Sequence, residues 1–204
     1  MFRNIHDYCA SLIRQFDTIP SHRQTLLQEL SDYIATQIAM QKDINLLFVC
    51  THNSRRSHFG QIWAAVAADF FDVQAVHAFS GGTESTCFNE NAIEALRSLG
   101  FDINATTDTN NPVYHVIFSE NQTITCFSKC YDDNVNPHAN FAAIMTCSDA
   151  EQNCPVIFGA DKRIGICYDD PKAFDNTPMQ ETAYHARCEQ IAIEMLFVFA
   201  HLNH

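Results

Sequence analysis

The chain has 204 residues, 47% of them hydrophobic, which suits one domain with a full core, and no apolar run approaches the roughly 18 residues that suggest a membrane span. Its formal net charge is −12, from 12 Lys and Arg against 24 Asp and Glu, so nucleic acid and anionic lipid are repelled and neither is an expected partner. The nine cysteines are odd in number and scattered, and no apolar leader with a cleavage site follows Met1; they read as buried, redox or catalytic thiols of a cytoplasmic protein, not as a disulfide framework.

Residues 1–43 read as two helices. Ile5, Tyr8, Cys9, Leu12, Ile13 and Phe16 recur at helical spacing up to the break at Pro20. Ser21 and Gln24 fit a capping box, and Leu26, Leu27, Leu30, Tyr33, Ile34 and Ile38 mark the face of the second helix. That apolar stripe needs cover from the chain's own domain, from a second copy in a homodimer, or from a docking partner. The organisation expected is a helical extension, 1–43, before a main domain, 44–204.

The main domain opens on Ile44-Asn45-Leu46-Leu47-Phe48-Val49, an apolar run of strand length suited to burial on both faces. Cys50 ends it, Arg56 follows six residues later, and Phe59, Ile62, Trp63, Val66, Ala67 and Phe70 then take helical spacing. A short polar loop between a strand and a helix N-terminus aims unpaired N–H groups and the helix dipole at its hollow, which suits an anion. The planar fork of Arg56 matches a tetrahedral oxyanion. The same positive field favours the thiolate of Cys50. An anion cradle with a thiolate at its base describes a nucleophile aimed at phosphorus or arsenic.

Further along, 73–79 reads as a strand followed by the turn Ser80-Gly81-Gly82-Thr83-Glu84. Asn89–Leu99 reads as a helix closed by Gly100, and 113–118 with 123–127 as a hairpin. Lys129 to Asn140 is polar and turn-rich, a lid or edge. Cys126 and Cys130 make a poor zinc set, and no metal or cofactor is expected. The run 141–145 is a buried strand that enters Thr146-Cys147-Ser148-Asp149-Ala150-Glu151-Gln152-Asn153-Cys154-Pro155. Arg163–Cys167 is a last strand before Tyr168-Asp169-Asp170-Pro171. Thr177, Pro178 and Gln180 signal a final helix with Ile191, Met195, Phe199 and Leu202 on its buried face. Strand–helix alternation of this kind makes the fold α/β, a parallel sheet flanked by helices.

The stretch Cys50-Thr51-His52-Asn53-Ser54-Arg55-Arg56-Ser57 resembles the phosphate loop of the low-molecular-weight protein tyrosine phosphatase superfamily, which includes the thioredoxin-coupled arsenate reductases. Cys50, Asn53, Ser54, Arg56 and Ser57 match its pattern. His52 stands where a glycine usually permits an unusual backbone, and Arg55 where a second cysteine is common; histidine tolerates positive φ better than bulky residues do. The segment 147–155 is similar to the one that holds the second and third relay cysteines of those reductases. The resemblance covers about residues 44–202.

By that resemblance Cys50 is the nucleophile, and Thr51, His52, Asn53, Ser54, Arg55, Arg56 and Ser57 hold the oxyanion. Asp170, directly before proline, is the general acid. Cys147 attacks the arsenic adduct of Cys50, Cys154 resolves the disulfide, and thioredoxin is the reductant. A helix over 148–154 would set Cys147 and Cys154 about 10 Å apart along its axis, beyond the roughly 7 Å between Cα atoms that a disulfide allows. The segment is therefore expected to be marginally stable and to rearrange on oxidation, with Ser148 and Asp149 capping it while the thiols are reduced. Three functions fit: arsenate reduction, hydrolysis of phosphotyrosine or an aryl phosphate by the same Cys50, Arg56 and Asp170, or oxyanion binding without turnover.

Overall fold

The computed structural model describes residues 1–153 and 156–202. In chain order these are α1 Arg3–Leu12, continued by a 3-10 segment Ile13–Thr18; α2 Ser21–Ala39; β1 Ile44–Cys50; α3 Arg56–Phe70; β2 Val76–Gly82; α4 Glu90–Ser98; β3 Asp102–Ala105; β4 Tyr114–Ser119; β5 Gln122–Cys126; β6 Phe141–Met145; α5 Ser148–Asn153; β7 Ala160–Gly165; and α6 Gln180–Ala200. Strands β2-β1-β6-β7 form a parallel sheet in that order, with helices packed on it. No helix among the described residues is long and apolar enough to cross a membrane.

β1 is central and buried on both faces, as its unbroken apolar run requires. Leu46 and Phe48 enter one core cluster with α3 and α6, while Leu47, Val49 and Cys50 enter a second with Phe141, Ala143, Met145 and Cys147. The apolar stripe of residues 1–43 is covered within the chain. Ile5, Cys9, Leu12, Leu27, Leu30 and Ile34 share the core cluster of Ile191, Met195 and Val198 on α6. Ser31 adds a bond from its hydroxyl to the carbonyl of Val198, 2.9 Å.

Four local differences have physical causes. The carbonyl of Pro20 accepts the N–H groups of Arg23 and Gln24, so α2 starts from Pro20; Ser21 lies in its first turn, and Gln24 bonds the carbonyl of Ile19. α6 begins at Gln180, because Thr177 turns the chain first, its hydroxyl accepting from the N–H of Met179. β2 runs three residues later than its apolar run suggests, since the ladder with β1 pairs Ile44 with Val76 and Cys50 with Gly82. β7 starts earlier than Arg163, because Ala160 already pairs with Phe141 on β6.

The helix at 90–98 is capped by Asn89, whose side-chain oxygen accepts from Asn91 and Ala92, and Gly100 follows it at φ +98°. The hairpin of β4 and β5 forms, but it belongs to a separate antiparallel sheet, β3-β4-β5. The short Asp102–Ala105 segment therefore closes a second sheet instead of extending the parallel one.

Candidate active site

The loop after β1 is shaped by its own side chains. Ser57 Oγ lies 3.1 Å from Cys50 Sγ, and the same oxygen accepts from Asn53 Nδ2 at 2.8 Å. With one lone pair so engaged, the serine hydroxyl still has its proton free for the sulfur. Asn53 carries the loop's left-handed residue, φ +43°, so that conformation falls at 53 and not at His52. Asparagine tolerates it better than most residues. Phe59 closes the first helical bond, onto the carbonyl of Arg55, which leaves the N–H groups just before it without intrahelical partners.

The remaining loop residues divide by direction. Ser54 is buried, and its carbonyl accepts from the N–H of Asn89. His52 sits at the rim, its Nε2 3.8 Å from Glu84 Oε2. The Arg55 guanidinium turns away, donating from Nε to the hydroxyl of Tyr184 at 2.7 Å and lying 3.5 Å from Asp175. Arg56 is buried and donates to the carbonyl of Tyr168 at 2.8 Å and to Asp170 Oδ2 at 2.6 Å. The Asp-Pro loop thus reaches the exit of the cradle. The other oxygen of Asp170 accepts from the N–H of Lys172.

Cys147 arrives from the end of β6. It is 1% exposed, and its sulfur lies 3.4 Å from Thr51 Oγ1, so a second thiol rests against the loop that Cys50 opens. The N–H of Ala150 donates to the same sulfur at 3.4 Å. The thiol itself therefore takes the capping position expected of Ser148 or Asp149. α5 covers Ser148–Asn153; Cys154 lies outside the described residues.

Several residues that hold this arrangement carry no local motif. Ser128 Oγ donates to the carbonyl of His52, and the N–H of Lys129 donates to Asn53 Oδ1, so the stretch after β5 fastens the back of the loop. Gly82 lets β2 end against it: a Cβ there would come within 2.7 Å of Thr51 O and Asn53 N. On the other side Arg23 of α2 donates to the carbonyl of Cys167 and to both carboxylate oxygens of Glu194, while Tyr168 Oη donates to Glu194 Oε2 at 2.7 Å. The helical extension therefore braces the segment that delivers Asp170. A cavity of about 580 Å³ between α3, β2 and β5 is lined by Gln61, Ala78 and Lys129 among others, and neither Cys50 nor Arg56 reaches it.

His58 follows the cradle on α3. It is fully buried, its Nδ1 3.2 Å from Ser80 Oγ and its ring against Phe88. Burial, and next the ammonium of Lys129, push its pKa down to about 3. The unfolded chain binds this proton below about pH 6.5 and the folded one does not, so stability is full above that pH and falls as pH drops toward 3. His58→Gln is expected to remove a slope of about 1.4 kcal/mol per pH unit from the denaturant-derived stability in that window. Identical pH profiles for variant and parent would contradict a neutral His58.

A thiol at the base of a strand–loop–helix cradle, with an arginine at its exit and an Asp-Pro loop beside it, on a parallel sheet ordered β2-β1-β6-β7, is the arrangement of an enzyme that holds a tetrahedral oxyanion against a thiol. No protein-family model matches the chain. A protein named Arsenate reductase 2 from Staphylococcus epidermidis is 30% identical over 127 residues, 62% of this chain and 77% of that protein. An arsenate reductase from Staphylococcus aureus is 31% identical over the same shares. A solved low-molecular-weight protein tyrosine phosphatase from T. tengcongensis has the same fold, with a TM-score of 0.53 over 78% of this chain and 99% of that one, at 16% identity. The chain belongs to the arsenate reductase family.

Proposed function

We propose that this enzyme reduces arsenate to arsenite in the cytoplasm, with thioredoxin as its reductant. The observation that supports this most is the seat of Cys147 against Thr51. Hydrolysis needs no second thiol beside the cradle, whereas reduction needs one.

In this reading arsenate is held by the N–H groups of Thr51, His52, Asn53, Ser54, Arg55 and Ser57 and by Arg56. The Cys50 thiolate attacks arsenic while Asp170 gives a proton to the departing oxygen, which leaves as water. The entering anion competes with Asp170 for Arg56. Cys147 then attacks the Cys50 sulfur. The sulfur–arsenic pair of electrons leaves with arsenite, and a Cys50–Cys147 disulfide remains. Cys154 attacks Cys147, frees Cys50 and closes a Cys147–Cys154 disulfide that thioredoxin reduces.

A second reading, hydrolysis of phosphotyrosine or an aryl phosphate, is favoured by the completeness of Cys50, Ser57, Arg56 and Asp170 without any relay thiol. Cys147→Ser separates the two. Arsenate turnover with a thioredoxin system is expected to fall about 100-fold or more, as for loss of a covalent step, while aryl phosphate hydrolysis stays within about twofold. Arsenate turnover that survives in Cys147→Ser with thioredoxin would refute Cys147 as the relay thiol.

A further inference from the structure

We infer that Cys167 is a further resolving thiol for Cys147, with Glu151 taking its proton; this rests on the reductase reading above.

The placement follows from strand register. β6 and β7 are parallel, and their last pair is Met145 with Gly165. The chains stay together beyond it, since Ile166 N donates to the carbonyl of Met145 at 2.9 Å and Tyr168 N to that of Thr146 at 3.1 Å. Cys147 and Cys167 each lie two residues past that pair, and the Tyr168 bond sets Cys167 level with Thr146, one position from Cys147. Adjacent strands run about 4.8 Å apart and one residue adds about 3.3 Å along the strand, a separation of about 5.8 Å, inside the roughly 4.4–6.8 Å between Cα atoms that a disulfide takes.

The two thiols also share a face. Ile164, Ile166 and Tyr168 point into the core cluster of α3 and α6, and alternation sends Cys167 to the opposite side, where Met145 and Cys147 pack. Cys167 Sγ lies 3.8 Å from the carbonyl of Met145 and donates to Glu151 Oε2 at 3.0 Å. Glu151 reaches it because the residue beneath has no side chain: a Cβ on Gly165 would meet Glu151 Oε1 at 2.1 Å. Burial, and then the bond and charge of Glu151, push the Cys167 thiol up to about 12. It rests protonated, and Glu151 is the group on hand to accept the proton as the sulfur attacks.

The step balances as a thiol–disulfide exchange. The Cys167 sulfur attacks Cys147 in the Cys50–Cys147 disulfide, its proton passes to Glu151, the Cys50–Cys147 bond breaks, and Cys50 leaves as a thiolate. No electrons enter or leave, because arsenate has already taken two. A dithiol reductant of the thioredoxin class later reduces Cys147–Cys167. This exchange leaves α5, Ser148–Asn153, which carries Glu151, in place.

The test treats Cys154→Ser with arsenate and no reductant, quenches with N-ethylmaleimide and maps the bonded peptides by mass spectrometry. A Cys147–Cys167 disulfide with alkylated Cys50 is expected. Arsenite release that stops at Cys50–Cys147, with Cys167 alkylated, would overturn the inference while leaving the reductase reading intact. No arsenite release from the unmodified enzyme either would overturn the reductase reading instead. A second arm needs no arsenate: in Cys50→Ser/Cys154→Ser the azo oxidant diamide, which takes up two electrons and two protons, is expected to join Cys147 to Cys167. Both thiols remaining alkylatable would overturn the proposed pairing. Glu151→Gln should slow formation of that bond in Cys154→Ser about tenfold or more at neutral pH; an unchanged rate would remove Glu151 from the step.

Discussion

Replacing Cys50 with serine is expected to lower turnover of arsenate and of an aryl phosphate alike, on the order of 10⁴-fold or more, because both reactions begin with the same sulfur. The substitution is nearly isosteric at a 3% exposed position, and the Asn53–Ser57 bond that shapes the loop does not involve the sulfur. The fold and the cradle should therefore persist. Phosphate binding measured by calorimetry is expected to survive in Cys50→Ser, which separates a lost nucleophile from a lost site. Turnover of either substrate within about tenfold of the parent would show that the nucleophile lies elsewhere.

Arg56→Lys is expected to cost about 10³-fold in kcat/KM for both substrates, the range seen when a preorganised donor to a developing oxyanion is removed. The guanidinium spans two acceptors, the carbonyl of Tyr168 and Oδ2 of Asp170, while keeping further N–H groups for an oxyanion. An ammonium on a flexible stem keeps the charge and loses that planar fork. The loss should therefore fall on kcat as well as on KM, and thermal unfolding should confirm a folded variant. A lysine enzyme within about tenfold of the parent would mean that charge alone, not the fork, matters at 56.

What could be read from the sequence was what lies contiguous in it. The run from Ile44 to Ser57 states strand, loop and helix within fourteen positions, and Asp170 before Pro171 and Cys147 after a buried strand are short local patterns. The structure brings them together through the β2-β1-β6-β7 order. What could not be read depends on contacts between distant segments. Arg23, Glu194 and Tyr168 brace the Asp170 segment from three places in the chain, and nothing near Arg23 in sequence marks it as more than a solvated helix residue.

The loop's left-handed residue shows the same limit on a smaller scale. The missing glycine drew attention to His52, but the turn is taken at Asn53, whose side chain is tied to Ser57 on one side and to Lys129 on the other. Likewise, nothing local to Ser128 and Lys129 foretells that they fasten the cradle. The second sheet was half legible: the alternation in 113–127 gave its hairpin, but the third strand, Asp102–Ala105, is too short and too exposed to declare itself.

The most direct test of a sulfur nucleophile in an oxyanion cradle is steady-state turnover by the unmodified enzyme, with arsenate and a thioredoxin system in one assay and an aryl phosphate in the other, each titrated with inorganic phosphate. The account predicts arsenate turnover that saturates, with phosphate competing against both substrates through one inhibition constant. No turnover of either substrate, or arsenate turnover indifferent to phosphate, would contradict it.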